Sequence, residues 1–289
     1  MKKKLLASVS VLLLGTMMLT GCGSSAGVAE GDKGTTQTTE SVKIQAVGST
    51  TVAVPMDELV LKYKEKNPEV VIEVQGVGSS AGVKAAHEKT ADIGMVSREI
   101  KDSEKEYGLT ETVIAYDGIA VVLNPANGVE DLSSEQVKGI FEGTITNWSE
   151  VGGVDENIIV VTREDGSGTR SAFEEILGLQ KEIGDKKVSS ITQSALVAEG
   201  NGTIKATVAS KTGAVGYVSL GFIDETVKVI SVDGVIPTPE SVKASKYSVS
   251  RPLLILTQPD APAHVQEYVD FILGTEGQEV VSEKYIPVN

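Results

Sequence analysis

The 289-residue chain is 40% hydrophobic and 23% charged, an ordinary globular composition with length enough for two modest domains. Its formal charge of -14 argues against nucleic acid and anionic lipid headgroups as partners, since both call for a basic face. A small anion is still admissible, because long-range charge is screened within about 8 Å at physiological salt and a few inward N–H groups with one guanidinium decide what a closed cleft holds.

At the N-terminus, Lys2, Lys3 and Lys4 precede an apolar run, Leu5 to Leu19, that is too short and too interrupted by Ser8, Ser10, Gly15 and Thr16 to span a membrane. It reads as a secretory signal over residues 1–21, and it ends in Leu-Thr-Gly-Cys, which resembles the lipobox of bacterial lipoproteins. The resemblance implies that Cys22 is lipidated and becomes the first mature residue. Cys22 is the only cysteine, so disulfide, cysteine-metal and thiol-nucleophile chemistry are excluded from the folded part. Gly, Ser, Thr and charge dominate from there to residue 41, so 22–41 is a lipid-carrying cysteine with a flexible tether.

The folded part opens with an alternating strand, Val42 to Val47, then a helix carrying Met56, Leu59, Val60 and Tyr63 at helical spacing up to Asn67-Pro68. A second strand, Val70 to Gln75, leads through a glycine-serine turn into a short helix, Ala81 to Lys89. Strand, helix, strand, helix predicts parallel pairing through crossover helices. The unbroken apolar run Val113 to Asn124 predicts a central strand covered on both faces. Beyond it lie "SSEQVKGIFEG", the strand "NIIVVTR", a helix "SAFEEILGL" with Phe173, Ile176 and Leu177 on one face, "IKATVAS", the strand-like "GAVGYVSL", "VKVISV", "RPLLILTQ" and the helix "AHVQEYVDFILG". The class is doubly wound α/β.

Three turns share one layout: Gly48 to Val52, Gly76 to Val83 and Asp165 to Arg170 each follow an apolar strand and open a helix. A first helical turn leaves N–H groups without internal partners and carries the positive end of the dipole, so it receives an anion readily. Any one such turn is equally an ordinary helix cap. Three of them at the carboxyl ends of parallel strands gather where ligands of open α/β sheets bind. None carries a nucleotide P-loop or a complete Gly-x-Gly-x-x-Gly fingerprint, so the expected ligand is smaller than a nucleotide. Arg163 adds a permanent cation whose fork suits a tetrahedral oxyanion.

"QGVGSSAGVK", "REDGSGTR" and the lipobox together resemble the substrate-binding lipoproteins of bacterial phosphate ABC transporters, over about Val42 to the end. The resemblance implies a type II periplasmic-binding-protein fold, two doubly wound α/β domains joined by a two-crossing hinge and closing on phosphate. It implies ligand roles for Ser49 and Thr50 in the first turn, Ser79 in the second, and Arg163, Ser167, Gly168 and Thr169 in the third, with Thr51 and Ser80 able to exchange roles with their neighbours. The family also uses an aspartate just after a serine in the segment matching "GMVSREI", where this chain has Ser97, Arg98 and Glu99.

That departure matters because an acceptor for a phosphate proton separates phosphate from sulfate, which has none to give. Asp117 is the expected replacement, with Glu99 second and Asp165 third; equally, Asp117 is a turn-capping residue before Gly118. Arg98 is either a second cation at the mouth or an interdomain salt bridge. Sulfate or molybdate in the same architecture is the alternative ligand. A remote alternative is a serine hydrolase using Ser80, because Gly78 to Gly82 matches Gly-x-Ser-x-Gly. Its histidine would have to be His87 or His264, the first too local and the second on a C-terminal helix. The chain is therefore expected to be no enzyme, without metal or cofactor, a monomer anchored outside the membrane that delivers phosphate to permease subunits. Domain I is expected over 42–120 plus 247–289 and domain II over 121–246.

Overall fold

The structure, a computed structural model, describes residues 42–184 and 186–289. The signal, Cys22 and the tether lie outside the described residues. The first lobe begins with β1 (Val42–Gly48), α1 (Thr50–Lys64), β2 (Val70–Gly76), α2 (Ser79–His87), β3 (Ile93–Val96) and the single turn α3 (Asp102–Lys105). The long β4 (Thr110–Leu123) leads to β5 (Asp131–Leu132), α4 (Ser134–Glu142), a 3-10 turn at Trp148–Val151, β6 (Ile159–Arg163) and α5 (Gly168–Ile176). A hairpin, β7 (Gln180–Ile183) with β8 (Lys186–Ser189), precedes β9 (Leu196–Ala198), α6 (Gly200–Ser210) and β10 (Ala214–Ser219). Then come a 3-10 turn at Leu220–Phe222, β11 (Lys228–Val229), β12 (Ser231–Val232), α7 (Pro239–Lys243), β13 (Ser250–Thr257), α8 (Ala263–Leu273), α9 (Thr275–Ser282) and β14 (Ile286–Pro287).

Periodicity explains which faces bury. In α1, Val52, Met56, Leu59 and Tyr63 are buried, spaced as one stripe of a helix, and they pack on the same sheet face as Val265 and Tyr268 of α8. The opposite face is covered by Val83 and Ala86 of α2. The second lobe repeats the scheme. Phe141, Trp148 and Phe173 pack on one face of its sheet, and Ile204 and Val208 of α6 on the other. Trp148 is fully buried and its Nε1–H donates to the Gly213 carbonyl at 3.0 Å. Phe173 of α5 and Leu177, which caps its C-terminus, turn inward, whereas Ile176, expected beside them, is on the surface.

The strand order is β2-β1-β3-β13-β4-β10-β6-β9. The expected parallel pairing holds for β2-β1-β3 and for β10-β6-β9. At the centre the sheet is mixed, since β13 runs antiparallel to β3 and β4, and β10 antiparallel to β4. Of these, β4 and β13 carry the chain out of the first lobe and back, so their direction is set by topology rather than by a crossover helix.

β4 is the shared spine. It pairs with β13 up to Gly118 and with β10 from Ile119 onward, and its side chains serve both cores: Ile114 and Ala115 the first, Ile119, Val121 and Leu123 the second. The C-terminal segment does the same in two residues, with Tyr285 in the first core and Ile286 in the second.

One device links this segment to α1. Pro55 lies inside the helix and has no N–H to donate four residues back, which leaves the Thr51 carbonyl without its intrahelical bond. The Tyr285 hydroxyl supplies it, donating to that carbonyl at 3.2 Å. A buried polar atom is satisfied from the far end of the chain.

Candidate functional site: three helix starts and two buried arginines

Parallel register places the turns together. Gly48 ends β1 opposite Gly76 of β2 on one side and Met95 of β3 on the other, so Ser49, the Gly78-Ser79 turn and Ser97 emerge at one edge. Close approach of α2 depends on two glycines: a Cβ on Gly48 would lie 2.2 Å from the Met95 carbonyl oxygen, and one on Gly82 2.6 Å from the same atom. Side-chain-free contact between Gly48 and Gly82 brings the start of α2 onto β1.

The serine hydroxyls form a connected group. Ser49 Oγ caps α1, accepting from the N–H groups of Thr51 and Val52 at 3.1 and 3.2 Å, and donates to Ser97 Oγ at 2.8 Å. Ser79 Oγ accepts from the Ser97 N–H at 3.0 Å and stands 3.4 Å from Ser97 Oγ. Across from them is the first residue of α5: a Cβ on Gly168 would lie 2.1 Å from Ser79 Oγ and 2.6 Å from Ser97 Oγ. Only glycine allows the second lobe this close.

The third turn brings Arg163, which is 1% exposed. Its Nε and one terminal nitrogen donate to Glu164 at 2.8 and 2.7 Å, and its remaining reach is toward both lobes, to Thr50 Oγ1 at 3.3 Å and Thr169 Oγ1 at 3.5 Å. Ser167 Oγ caps α5 through the Arg170 N–H at 3.2 Å. Behind the turn, Arg170 donates to the Arg163 carbonyl, and the Tyr217 hydroxyl accepts from the Arg163 N–H and meets Thr162 Oγ1 at 2.8 Å. Burial pushes the Tyr217 phenol up to about 12, so its proton stays available for these bonds. Burial also pushes Glu164 up, but the hydrogen bonds and charge of Arg163 outweigh it and hold the carboxyl below its ordinary range.

Sequence reasoning missed the second central arginine. Arg251, the second residue of β13, lies directly opposite Asp117 of β4, at the crossing between lobes. It donates to Asp117 Oδ2 at 2.9 and 3.1 Å, to the Ser97 carbonyl at 3.0 Å and to Thr51 Oγ1 at 3.3 Å. Burial pushes Asp117 up and Arg251 down, each away from its charged form, while each partner pulls the other back. Asn201 of α6 was missed as well; its Nδ2–H donates to Thr51 Oγ1 at 3.0 Å. The only signals for them were an arginine heading an apolar strand and an asparagine between two glycines.

Asp117 was expected to be buried with a partner, and it is fully buried. As a free acceptor it needs correction. Arg251 occupies Oδ2 and the Leu220 N–H donates to Oδ1 at 3.2 Å, so its charge is matched within the protein. The two reserve acceptors are corrected too. Glu99 is exposed, and the Asp165 side chain is 98% exposed, in an ion pair with Arg170. Arg98, by contrast, is buried and paired with Glu104 at 2.7 and 2.8 Å, and it reaches Ser80 Oγ at 3.4 Å. That is a bridge within the first lobe rather than between lobes. Ser49, Thr50, Thr51, Ser79, Ser97, Arg163, Ser167, Gly168 and Thr169 are brought together, and Ser80 sits at their margin, its N–H donating to the Gly166 carbonyl at 3.1 Å. For a hydrolase the context fails: His87 is stacked on Tyr107 at the surface, with ring centroids 3.8 Å apart, and His264 is on α8.

Comparison with known proteins bears on the family of the chain. Residues 33–276 match the model for a PBP superfamily domain. The chain is 30% identical over 251 residues to the phosphate-binding protein PstS of Borreliella burgdorferi, covering 85% of this chain and 90% of that protein. It is 31% identical over 299 positions to the Bacillus subtilis phosphate-binding protein PstS, covering all of this chain and 95% of that one. Among solved structures, a Clostridium perfringens putative phosphate ABC transporter substrate-binding protein with bound phosphate superposes with a TM-score of 0.81 at 42% identity, over 86% of this chain and all of that one. An ABC-type phosphate transport receptor from Vibrio cholerae gives 0.73 at 41% identity, over 85% and 99%.

Proposed function

The chain belongs to the PBP superfamily, and from that premise we propose that it binds inorganic phosphate between its lobes and delivers it to the permease subunits of an ABC transporter. One observation carries the reading: the second lobe meets the first at donor groups, Arg163 reaching Thr50 Oγ1 while the start of α5 at Gly168 closes on the linked Ser49-Ser79-Ser97 hydroxyls. Hydroxyl, N–H and guanidinium donors from helix starts suit a tetrahedral oxyanion and nothing cationic. The relatives named for phosphate, two of them matched nearly end to end, favour phosphate over sulfate and molybdate.

The boundaries that suit this mechanism are 42–120 with 247–289 for one lobe and 121–246 for the other, with the crossing at Asp117 and Gly118. The ligand set is Ser49, Thr50, Ser79, Arg163, Ser167, Gly168 and Thr169, with Ser97 joining through its hydroxyl. Binding and release require no bond chemistry, so the chain is no enzyme; the closed, loaded form is what the permease receives. Among the described residues no helix is long and apolar enough to cross a membrane. Attachment through a lipid on Cys22, outside the cytoplasm and as a monomer, completes the proposal.

Calorimetric titration of the full chain with phosphate and then sulfate tests it. Saturable one-to-one phosphate heat that sulfate does not displace is the expected result. Absence of phosphate heat refutes the reading.

A further inference from the structure

Hydrogen-bond bookkeeping at one atom separates the residues that hold the anion from those that hold the lobes. A threonine hydroxyl accepts two hydrogen bonds and donates one. Thr51 Oγ1 is fully buried and receives two donors that can only donate, Asn201 Nδ2 at 3.0 Å and an Arg251 terminal nitrogen at 3.3 Å. Both acceptor positions are filled. Its single proton is then directed at Thr169 Oγ1, 3.3 Å away in the second lobe. Thr169 has the same guanidinium neighbour as Thr50, so the bonds from Asn201 through Thr51 and Thr169 to Arg163 form one chain that crosses the cleft.

Resting on the phosphate reading above, we propose that Thr51 is a latch between the lobes rather than a ligand of the anion, and that Asn201 and Arg251 are the positioning residues that seat it. The latch consists of protein groups alone, with the Ser80 N–H to Gly166 carbonyl bond as a companion across the same gap. Arg251 makes it responsive to the crossing strands, because the same guanidinium is fixed to Asp117 on β4 and to the Ser97 carbonyl at the end of β3. A latch of this kind sets the fraction of molecules already closed. Apparent affinity is the intrinsic affinity scaled by that fraction, so weakening the latch weakens binding without touching a ligand contact.

The test uses the full chain with two readouts, the phosphate Kd by calorimetry and the radius of gyration by small-angle scattering in phosphate-free buffer. Asn201→Ala and Thr51→Val are expected to raise Kd about tenfold, the worth of one buried hydrogen bond, and to enlarge the phosphate-free molecule. Thr51→Ser, which keeps the hydroxyl, is expected to restore both values. A Thr51→Val chain that loses more than a thousandfold in Kd at unchanged radius makes Thr51 a direct ligand and overturns the proposal. So does an Asn201→Ala chain with wild-type Kd and radius. If the wild type binds no phosphate, the phosphate reading falls, while the scattering comparison still decides the latch.

Discussion

Two arginine-carboxylate pairs lie within one site and do opposite work. Arg163 and Glu164 are sequence neighbours where β6 runs into the turn before α5, and Glu164 keeps 24% of its side chain exposed. Arg251 and Asp117 come from adjacent strands, and neither is more than 1% exposed in its side chain. A pair at a strand end, with its carboxylate partly open to water, leaves the outer edge of its guanidinium aimed at the cleft and available to a visitor. A pair locked between strands has its geometry fixed by backbone register and serves the crossing. The same chemistry becomes a ligand site or a structural pin according to what holds the two partners.

The largest effect should come from unpairing the pin. Asp117→Ala leaves a buried guanidinium without its counter-charge, and equilibrium denaturation should show a loss of about 3–5 kcal/mol. Replacing both partners with Asp117→Leu and Arg251→Met should recover most of it, since a well-packed apolar pair avoids the desolvation cost. Equal losses in the single and double variants would remove the distinction between the pairs.

Arg163→Ala should act on the ligand instead. Loss of charge-assisted hydrogen bonds should cost about 2 kcal/mol of phosphate affinity, roughly thirtyfold in Kd, with a smaller change in unfolding midpoint than Asp117→Ala. Gly168→Ala should follow, weakening phosphate binding about tenfold, because its Cβ would meet two serine hydroxyls at 2.1 and 2.6 Å as the lobes close. A structure of that variant should show the lobes held further apart.

Acid should expose the Arg163–Glu164 pair and its relative Arg98–Glu104. Burial pushes Glu104 up, yet the Arg98 hydrogen bonds and charge prevail, and its carboxyl, like that of Glu164, ends below the ordinary 4.5. A carboxyl depressed in the folded state stabilises it above the ordinary value, and that stability fades as pH falls from 4.5 through the lowered one. Glu104→Gln should flatten this part of the stability profile. The smallest effect belongs to exposed Glu99, whose Glu99→Gln change should stay within about 0.5 kcal/mol in stability and leave phosphate binding intact.

How far these pairs could be read from residues alone follows the same division. Arg163 announces itself because its turn is local: arginine, glycines and serines within a few positions. Arg251 and Asp117 become partners only through register between distant strands, so Asp117 alone reads as a free carboxylate. Serine turns were legible as helix starts, although α2 begins at Ser79, two residues before its apolar pattern. The β7–β8 hairpin was not legible, since "QKEI" and "KKVS" carry little apolar alternation. Antiparallel strands at the centre were hidden too, because strand-helix alternation says nothing about a chain that leaves one lobe and returns.

Trp148 gives the molecule an optical asymmetry. It is the chain's one tryptophan, sealed in the second lobe with its indole N–H bonded to Gly213. Its emission therefore samples one lobe while far-ultraviolet circular dichroism samples both. Overlaying melts would mark a single cooperative unit welded by β4, and a displaced emission trace would resolve the two lobes' unfolding without any added label.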